Sequence, residues 1–359
     1  LILAVVFKLF GTGISAELIK QFFASAISSL QCALIVPAAR GLLLNERVGL
    51  VSAIFAALLP AKFGTETMGD WEAPYTAIAL MTVSVLMVRL YATKDFSTRH
   101  AALAGFAWGV SILFAAILLP IFVSSVLLGL VFAWRGKRLT YLRFCLIDGL
   151  IAAACLAPWV TRNDRVLGAP VLTRTNPGLE LRVSNNDIAA ADEHVNYEKG
   201  VYHAYHPLQN RGEALKLRQI GEIAYNRQAE QQALGWIQTH PGKFLQLTIK
   251  RVGLFWFYMP PTAGAFMRTK YFVLALIHLI GLLGLIHLFT RHRTTAIVLS
   301  TILLVYPIPN YLIHVGPRQT YPIDWILNLL MFSLTFASAP KIFSALPERE
   351  QSGSVFIPR

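Results

Sequence analysis

Long apolar runs broken by short clusters of charge set the pattern of this chain. A bilayer crossing needs about 20 mostly apolar residues, fewer where the slab thins or a helix ends in a cavity. Nine runs read as crossings: residues 18–38, 47–60, 73–90, 101–120, 121–134, 144–159, 271–289, 295–313 and 323–338. The run over 101–134 is too long for one crossing and has basic clusters on both sides, so it is divided in two at Pro120. Within it, Gly105 and Gly109 form a small-xxx-small pair that lets helices approach closely.

The one sizeable polar stretch is 161–250. It holds nine of the 19 acidic residues and most of the turn signals. In its first half, 170–173 and 179–183 read as short β-like runs, broken by Asn176-Pro177-Gly178 and Ser184-Asn185-Asn186. Its second half, 213–239, places Leu217, Ile220, Ile223, Ala224, Leu234 and Ile237 near helical spacing, which predicts one or two amphipathic helices ending at His240-Pro241. Beyond Pro241, 244–258 mixes apolar and basic residues and ends in four consecutive aromatics, as expected of a helix entering the headgroup layer.

The expected fold class is therefore all-α: a polytopic transmembrane helical bundle of about nine spans carrying a small mixed extracytoplasmic cap. Its parts are membrane helices over 1–160, a loop domain over 161–250, membrane helices over 251–340 and a cytoplasmic tail over 341–359.

Composition removes other classes. Of 359 residues 55% are hydrophobic and 14% charged, against about 25% charged in soluble domains, so a water-soluble globule is excluded. The net charge of +13 would suggest nucleic acid, but its distribution reports orientation instead. Fourteen of the 32 basic residues fall in short connections at one end of the spans, twelve in 162–251 and six at the other span ends. The positive-inside rule then puts the Lys62 to Glu72 loop, the 161–250 segment and the Gly316 to Pro322 turn outside the cytoplasmic membrane of a bacterial-like cell, sharing one mouth. Cys32, Cys145 and Cys155 all lie in apolar runs, with no disulfide or metal pattern. The same parity puts Leu1 outside, so at least one upstream crossing is expected.

Five residues are candidates for chemistry. Arg318, alone in Gly-Pro-Arg-Gln-Thr-Tyr-Pro between two spans, suits bidentate recognition of phosphate, and Tyr321 follows it. Arg162 lies where the sixth run leaves the membrane, as a phosphate or sugar ligand or a snorkelling anchor. Asn186 is a sugar ligand or a turn residue that satisfies its own backbone. Glu72, near Glu66 and Asp70, could orient an acceptor or bind a cation. His203 and His206 lack the partners of a zinc site, and His278 and His287, nine residues apart, face opposite sides of one helix.

The order of these parts resembles the C-type integral membrane glycosyltransferases, which include protein mannosyltransferases and lipid A aminoarabinose transferases. The resemblance runs from KLFGTG at Lys8 to Pro322-Ile323-Asp324, through LAGFAWGVSIL from Leu103, PWVTRN from Pro158, GLELRVSNN from Gly178, GEIAYNRQA from Gly221, THPGKFLQLTIKRVGLFW from Thr239 and RQTYPID from Arg318. It implies inverting transfer of a sugar from a polyprenyl-phosphate donor to a lipid, glycan or protein acceptor, with the membrane as setting and no nucleic-acid partner. An acidic general base in the first outer loop and basic residues on the lipid phosphate go with that chemistry. Two departures stand out. The expected base falls upstream of Leu1, and an Arg-Tyr-Arg-like pattern is replaced by Arg318-Gln319-Thr320-Tyr321. The resemblance is carried onto Arg318 and Tyr321, then onto Arg162, Asn186 and Glu72. It names no cofactor and leaves the part of a divalent cation open. The alternatives are a non-catalytic scaffold or transporter for polyprenyl-linked sugars, and an O-antigen-ligase-like enzyme.

Overall fold

The computed structural model describes residues 2–59, 72–133, 138–260 and 264–338. Each of the nine apolar runs is helical there. The bundle consists of α1 (Ile2–Phe10), α2 (Ile14–Gly41), α3 (Glu46–Leu58), α4 (Ala73–Thr93), α5 (Thr98–Phe114), α6 (Leu119–Phe132), α7 (Arg138–Leu167), α14 (Ala265–Arg291), α15 (Arg293–Val305), α16 (Ile308–Leu312) and α17 (Tyr321–Ser338). Between α7 and α14 lie α8 (Pro177–Ser184), α9 (Glu193–Glu198), α10 (Val201–Tyr205), α11 (Arg211–Ile220), α12 (Glu222–Thr239) and α13 (Pro241–Trp256). Five helical segments are long and apolar enough to cross a membrane: α2, α4, α7, α14 and the stretch Arg293–Leu312. The protein is thus all-helical among the described residues, with several membrane-competent helices. Lys62, Glu66 and Asp70, the basic pair Arg135 and Lys137, and the 341–359 tail lie outside the described residues.

Helix α17 is the centre of the bundle. Ile323, Trp325, Ile326, Leu327, Leu329 and Leu330 are all buried, giving a helix that is apolar around most of its circumference. It packs on α14, where Gly281 and Gly284 bring the backbones together against Leu327 and Leu330. On its other sides it meets α3 and α4. Helix α7 stands farther out, packed on α5 through Gly105 and Gly109; a Cβ on Gly109 would lie 2.6 Å from that of Cys155. In the interior, His278 Nδ1 lies 2.7 Å from the Trp256 carbonyl, so this nitrogen carries the proton, and Nε2 lies 3.1 Å from Asp324 Oδ1.

Three expectations are corrected. The 179–183 run is helical, within α8, and no strand occurs among the described residues; 170–173 is irregular, with a bend at 172–173. Pro177 at the helix start pre-sets φ, and Leu179 and Val183, four apart, then face one small core with Val201, Tyr202 and Tyr225. The cap is therefore helical rather than mixed. The break in 101–134 falls at Ala115, five residues ahead of Pro120: α5 stops at Phe114 and Pro120 occupies the first turn of α6, where its missing N–H is no loss. Finally, α7 does not stop at Trp159 but continues through Pro158 to Leu167.

Antiparallel neighbours divide the loops between two ends of the bundle. At one end, Thr295 Oγ1 donates to the Leu42 carbonyl (2.7 Å), joining the α2–α3 turn to the start of α15. At the other end meet Glu72, the α7–α14 region and the 313–320 loop.

Candidate functional site

The polar end is assembled on backbone contacts. Val315 donates to the Ala191 carbonyl (2.8 Å) and Glu193 donates to the Val315 carbonyl (2.9 Å), making an isolated parallel bridge between Asp192 and Val315. Asp192 also caps α9 by accepting from the His194 and Val195 amides. These links bring the 313–320 loop against the cap, so that Arg318 Nη2 reaches Glu193 Oε1 at 3.0 Å.

Beneath the pair sits His314. Its backbone N–H donates to Ser184 Oγ (2.9 Å), while the same oxygen lies 2.8 Å from Nδ1 and the Tyr202 hydroxyl lies 3.1 Å from Nε2. The consistent arrangement has the Ser184 hydroxyl donating to Nδ1 and Nε2–H donating to Tyr202. Burial, together with Arg318 and Arg251, keeps the ring neutral and pushes its pKa down to about 3.

Arg251 holds the floor. It is fully buried in α13, donating to Asn185 Oδ1 (3.1 Å), the Leu312 carbonyl (3.0 Å) and the Ser184 carbonyl. Two of these acceptors close the C-terminal turns of α8 and α16, where a cation is favourable. Burial pushes the guanidinium down to about 10, leaving it charged at neutral pH.

At the rim, Glu72 pairs with Arg174 (2.6 Å), and Asn176 donates to Glu180 (3.2 Å). Burial pushes the Glu180 carboxyl up, against the opposing charges of Arg318 and Arg174, and with Glu193 adding to the rise. Acidic and basic groups thus alternate through Glu72, Arg174, Glu180, Arg318 and Glu193. A separate keystone, Arg182, joins α8 to Glu213 (2.7 Å), Tyr225 (2.8 Å) and Gln232 (3.1 Å) and holds the cap itself together.

Of the sequence candidates, Arg318 and Glu72 enter this cluster. Tyr321 does not: its hydroxyl donates to Gln31 Oε1 (2.6 Å) inside the bundle. Asn186 spends its side chain on its own turn, donating to the Arg182 and Val183 carbonyls and accepting from the Ile188 amide. Arg162 stacks over Trp159 (5.3 Å to the ring centre) and donates to Asn163 Oδ1 (3.0 Å), while Asn163 Nδ2 donates to the Val171 carbonyl (2.9 Å). Arg174, Glu180, Glu193, Arg251 and His314 were not singled out from the sequence. A signal existed for two of them. His314 lies four residues before Arg318 in the same loop, and Arg251 shares a helical face with Leu247 and Phe255. Among the described residues no group of three or more His, Cys, Asp or Glu could hold a metal ion.

Comparison with protein-family models, with curated proteins and with solved structures finds no match to this chain.

Proposed function

We propose that the protein is a membrane glycosyltransferase that moves a sugar from a polyprenyl-phosphate donor to an acceptor at the outer face of the cytoplasmic membrane, through about nine spans and with the α8–α12 cap outside. One observation carries the proposal: Arg174 and Arg318, from two distant loops, meet Glu72, Glu180 and Glu193 at one end of an apolar bundle. Two guanidiniums fixed at the border of polar cap and apolar helices suit a lipid phosphate. In the transfer, an acceptor oxygen forms the bond to the sugar's anomeric carbon, the bond to phosphate oxygen breaks, and the lipid phosphate keeps the electron pair. The acceptor proton passes to a general base. Fixed positive charge stabilises the leaving phosphate as its charge develops.

One contact favours a second reading, a non-catalytic scaffold or transporter for polyprenyl-linked sugars. Arg318 is already engaged by Glu193, as a purely structural clasp would be.

Transfer from a synthetic polyprenyl-phosphate sugar, measured on membranes carrying the protein from its complete gene, separates them. Under the transferase reading Arg318→Ala lowers transfer by about 100-fold or more and Arg318→Lys recovers part of it, consistent with loss of transition-state charge stabilisation. Unchanged transfer in both variants leaves Arg318 as a clasp.

A further inference from the structure

The Arg318 cluster leaves an aromatic face and two polar groups unspent. On α9, Glu193 and Tyr197 are four residues apart and share a side of the helix. Gly200, at φ 73°, then turns the chain back, and Tyr202 on α10 stacks on Tyr197 with ring centres 3.9 Å apart and planes within 11°. Tyr202 is the inner ring, buried and with its hydroxyl against His314. Tyr197 is the outer ring and 46% exposed, so the face turned away from Tyr202 is open.

Burial pushes the Tyr197 hydroxyl up, the Glu193 and Glu180 carboxylates add to the rise and Arg318 opposes it, so all three charged groups lie near this hydroxyl. They are not equally occupied. Glu193 is taken by Arg318. Glu180 accepts on Oε1 from Asn176 (3.2 Å) but forms no ion pair among the described residues, and its Oε2 accepts no hydrogen bond there. The Tyr197 hydroxyl likewise has no hydrogen-bond partner among the described residues. A flat ring beside unused donor and acceptor capacity suits a ligand that carries C–H bonds on one face and hydroxyls at its edge. The C–H bonds meet the negative face of the phenol, and the hydroxyls donate to the carboxylate. Charge narrows the class further. Glu72, Glu180 and Glu193 are three carboxylates against the two guanidiniums of Arg174 and Arg318, a balance that disfavours an acidic sugar.

We propose that Tyr197 and Glu180 form a saccharide subsite for an uncharged pyranose, its ring on the open face of Tyr197 and its hydroxyls donating to Glu180 Oε2. The part this sugar plays, as donor or acceptor, rests on the transferase reading; its binding is measurable apart from transfer.

The test uses the protein from its complete gene in nanodiscs, with methyl glucoside, methyl mannoside, methyl galactoside and methyl glucuronide as probes and saturation-transfer NMR as the readout. At least one neutral pyranoside should bind, with saturation strongest at the ring protons of one face, and the glucuronide should bind several-fold more weakly. Tyr197→Ala should weaken binding on the order of tenfold, whereas Tyr197→Phe, which keeps the aromatic face, should retain most of it. Glu180→Gln, which keeps the shape of the side chain, should weaken it by about tenfold as well. Unchanged melting temperatures separate these effects from misfolding. Displacement of the pyranoside by a polyprenyl-phosphate sugar, but not by the bare polyprenyl phosphate, assigns the subsite to the donor; simultaneous binding of both assigns it to the acceptor. Absence of saturable binding by all three neutral pyranosides, equal binding of the glucuronide, or binding indifferent to both Tyr197→Ala and Glu180→Gln overturns the subsite, and leaves the transferase reading standing if transfer is still measured. Binding that needs Tyr197 in a protein that performs no transfer upholds the subsite and removes the transferase reading instead.

Discussion

Lys250 and Arg251 are neighbours in the chain, yet Lys250 is exposed and Arg251 is fully buried under three acceptors. Composition and charge counting treat them alike; only the helical register with Leu247 and Phe255 separates them. Arg318 was legible because it is a lone cation between apolar runs. Glu193 was not, because its partnership with Arg318 depends on the cap folding back over 125 residues of chain. His314 gives a prediction at this scale. An unfolded histidine titrates near 6.5, whereas His314 is held down to about 3 by burial, Arg318, Arg251 and His206. Between those values the unfolded chain binds a proton that the folded chain refuses, so stability is complete above about pH 6.5 and falls as the pH drops towards 3. Glu180, its carboxyl raised chiefly by burial, contributes with the opposite sign. His314→Gln should melt below wild type at about pH 8, where Ser184 and Tyr202 lose their partner, but lose less on going to about pH 5. Parallel losses in the two proteins, measured by thermal melting in detergent, would exclude the histidine as the source.

Helices were the most legible level, because long apolar runs and proline positions are local signals. Pro120, Pro177 and Pro241 each sit in a first helical turn, where a missing N–H does no harm. The division at Pro120 was displaced for that reason: proline marks the start of the second helix, and the chain has to turn before it. The 179–183 run misled because Leu-Glu-Leu-Arg-Val alternates like a strand, while burial of Leu179 and Val183 on one core enforces the helical period. Gly221, at φ 80°, separates α11 from α12 in a conformation that suits glycine, which explains why one apolar pattern became two helices. The α5–α7 contact carries the prediction for this scale. Gly109→Val would drive a side chain into Cys155 and the Ala152 backbone, and overpacking of this kind costs about 1–3 kcal/mol. The expected result is a lower melting temperature. Gly149→Val, where an added Cβ meets nothing within 4 Å, should have far less effect, and equal effects would count against close packing at Gly109.

At the scale of the whole molecule, alternation of charge along the sequence anticipated that three distant loops would share one end, and Glu72, Arg174, Glu193 and Arg318 do meet there. The network that joins them was beyond reach of pattern, since Ser184, Asn185, Arg251 and His314 are connected only after α8, α13 and the 313–320 loop are packed. Sidedness follows from the proposed topology. With the native cysteines removed, Leu208→Cys, at an 87% exposed cap position, should react with an impermeant maleimide in intact spheroplasts, and Lys94→Cys, at the opposite end, only after lysis. The reverse pattern would invert the protein in the membrane. The two backbone hydrogen bonds around Val315 have a mechanical consequence. They rivet the loop bearing Arg318 to the cap at Ala191 and Glu193. Any tilt of the cap that keeps these rivets intact must therefore drag the Arg318 backbone along, making the arginine a passenger of the cap as much as of α17.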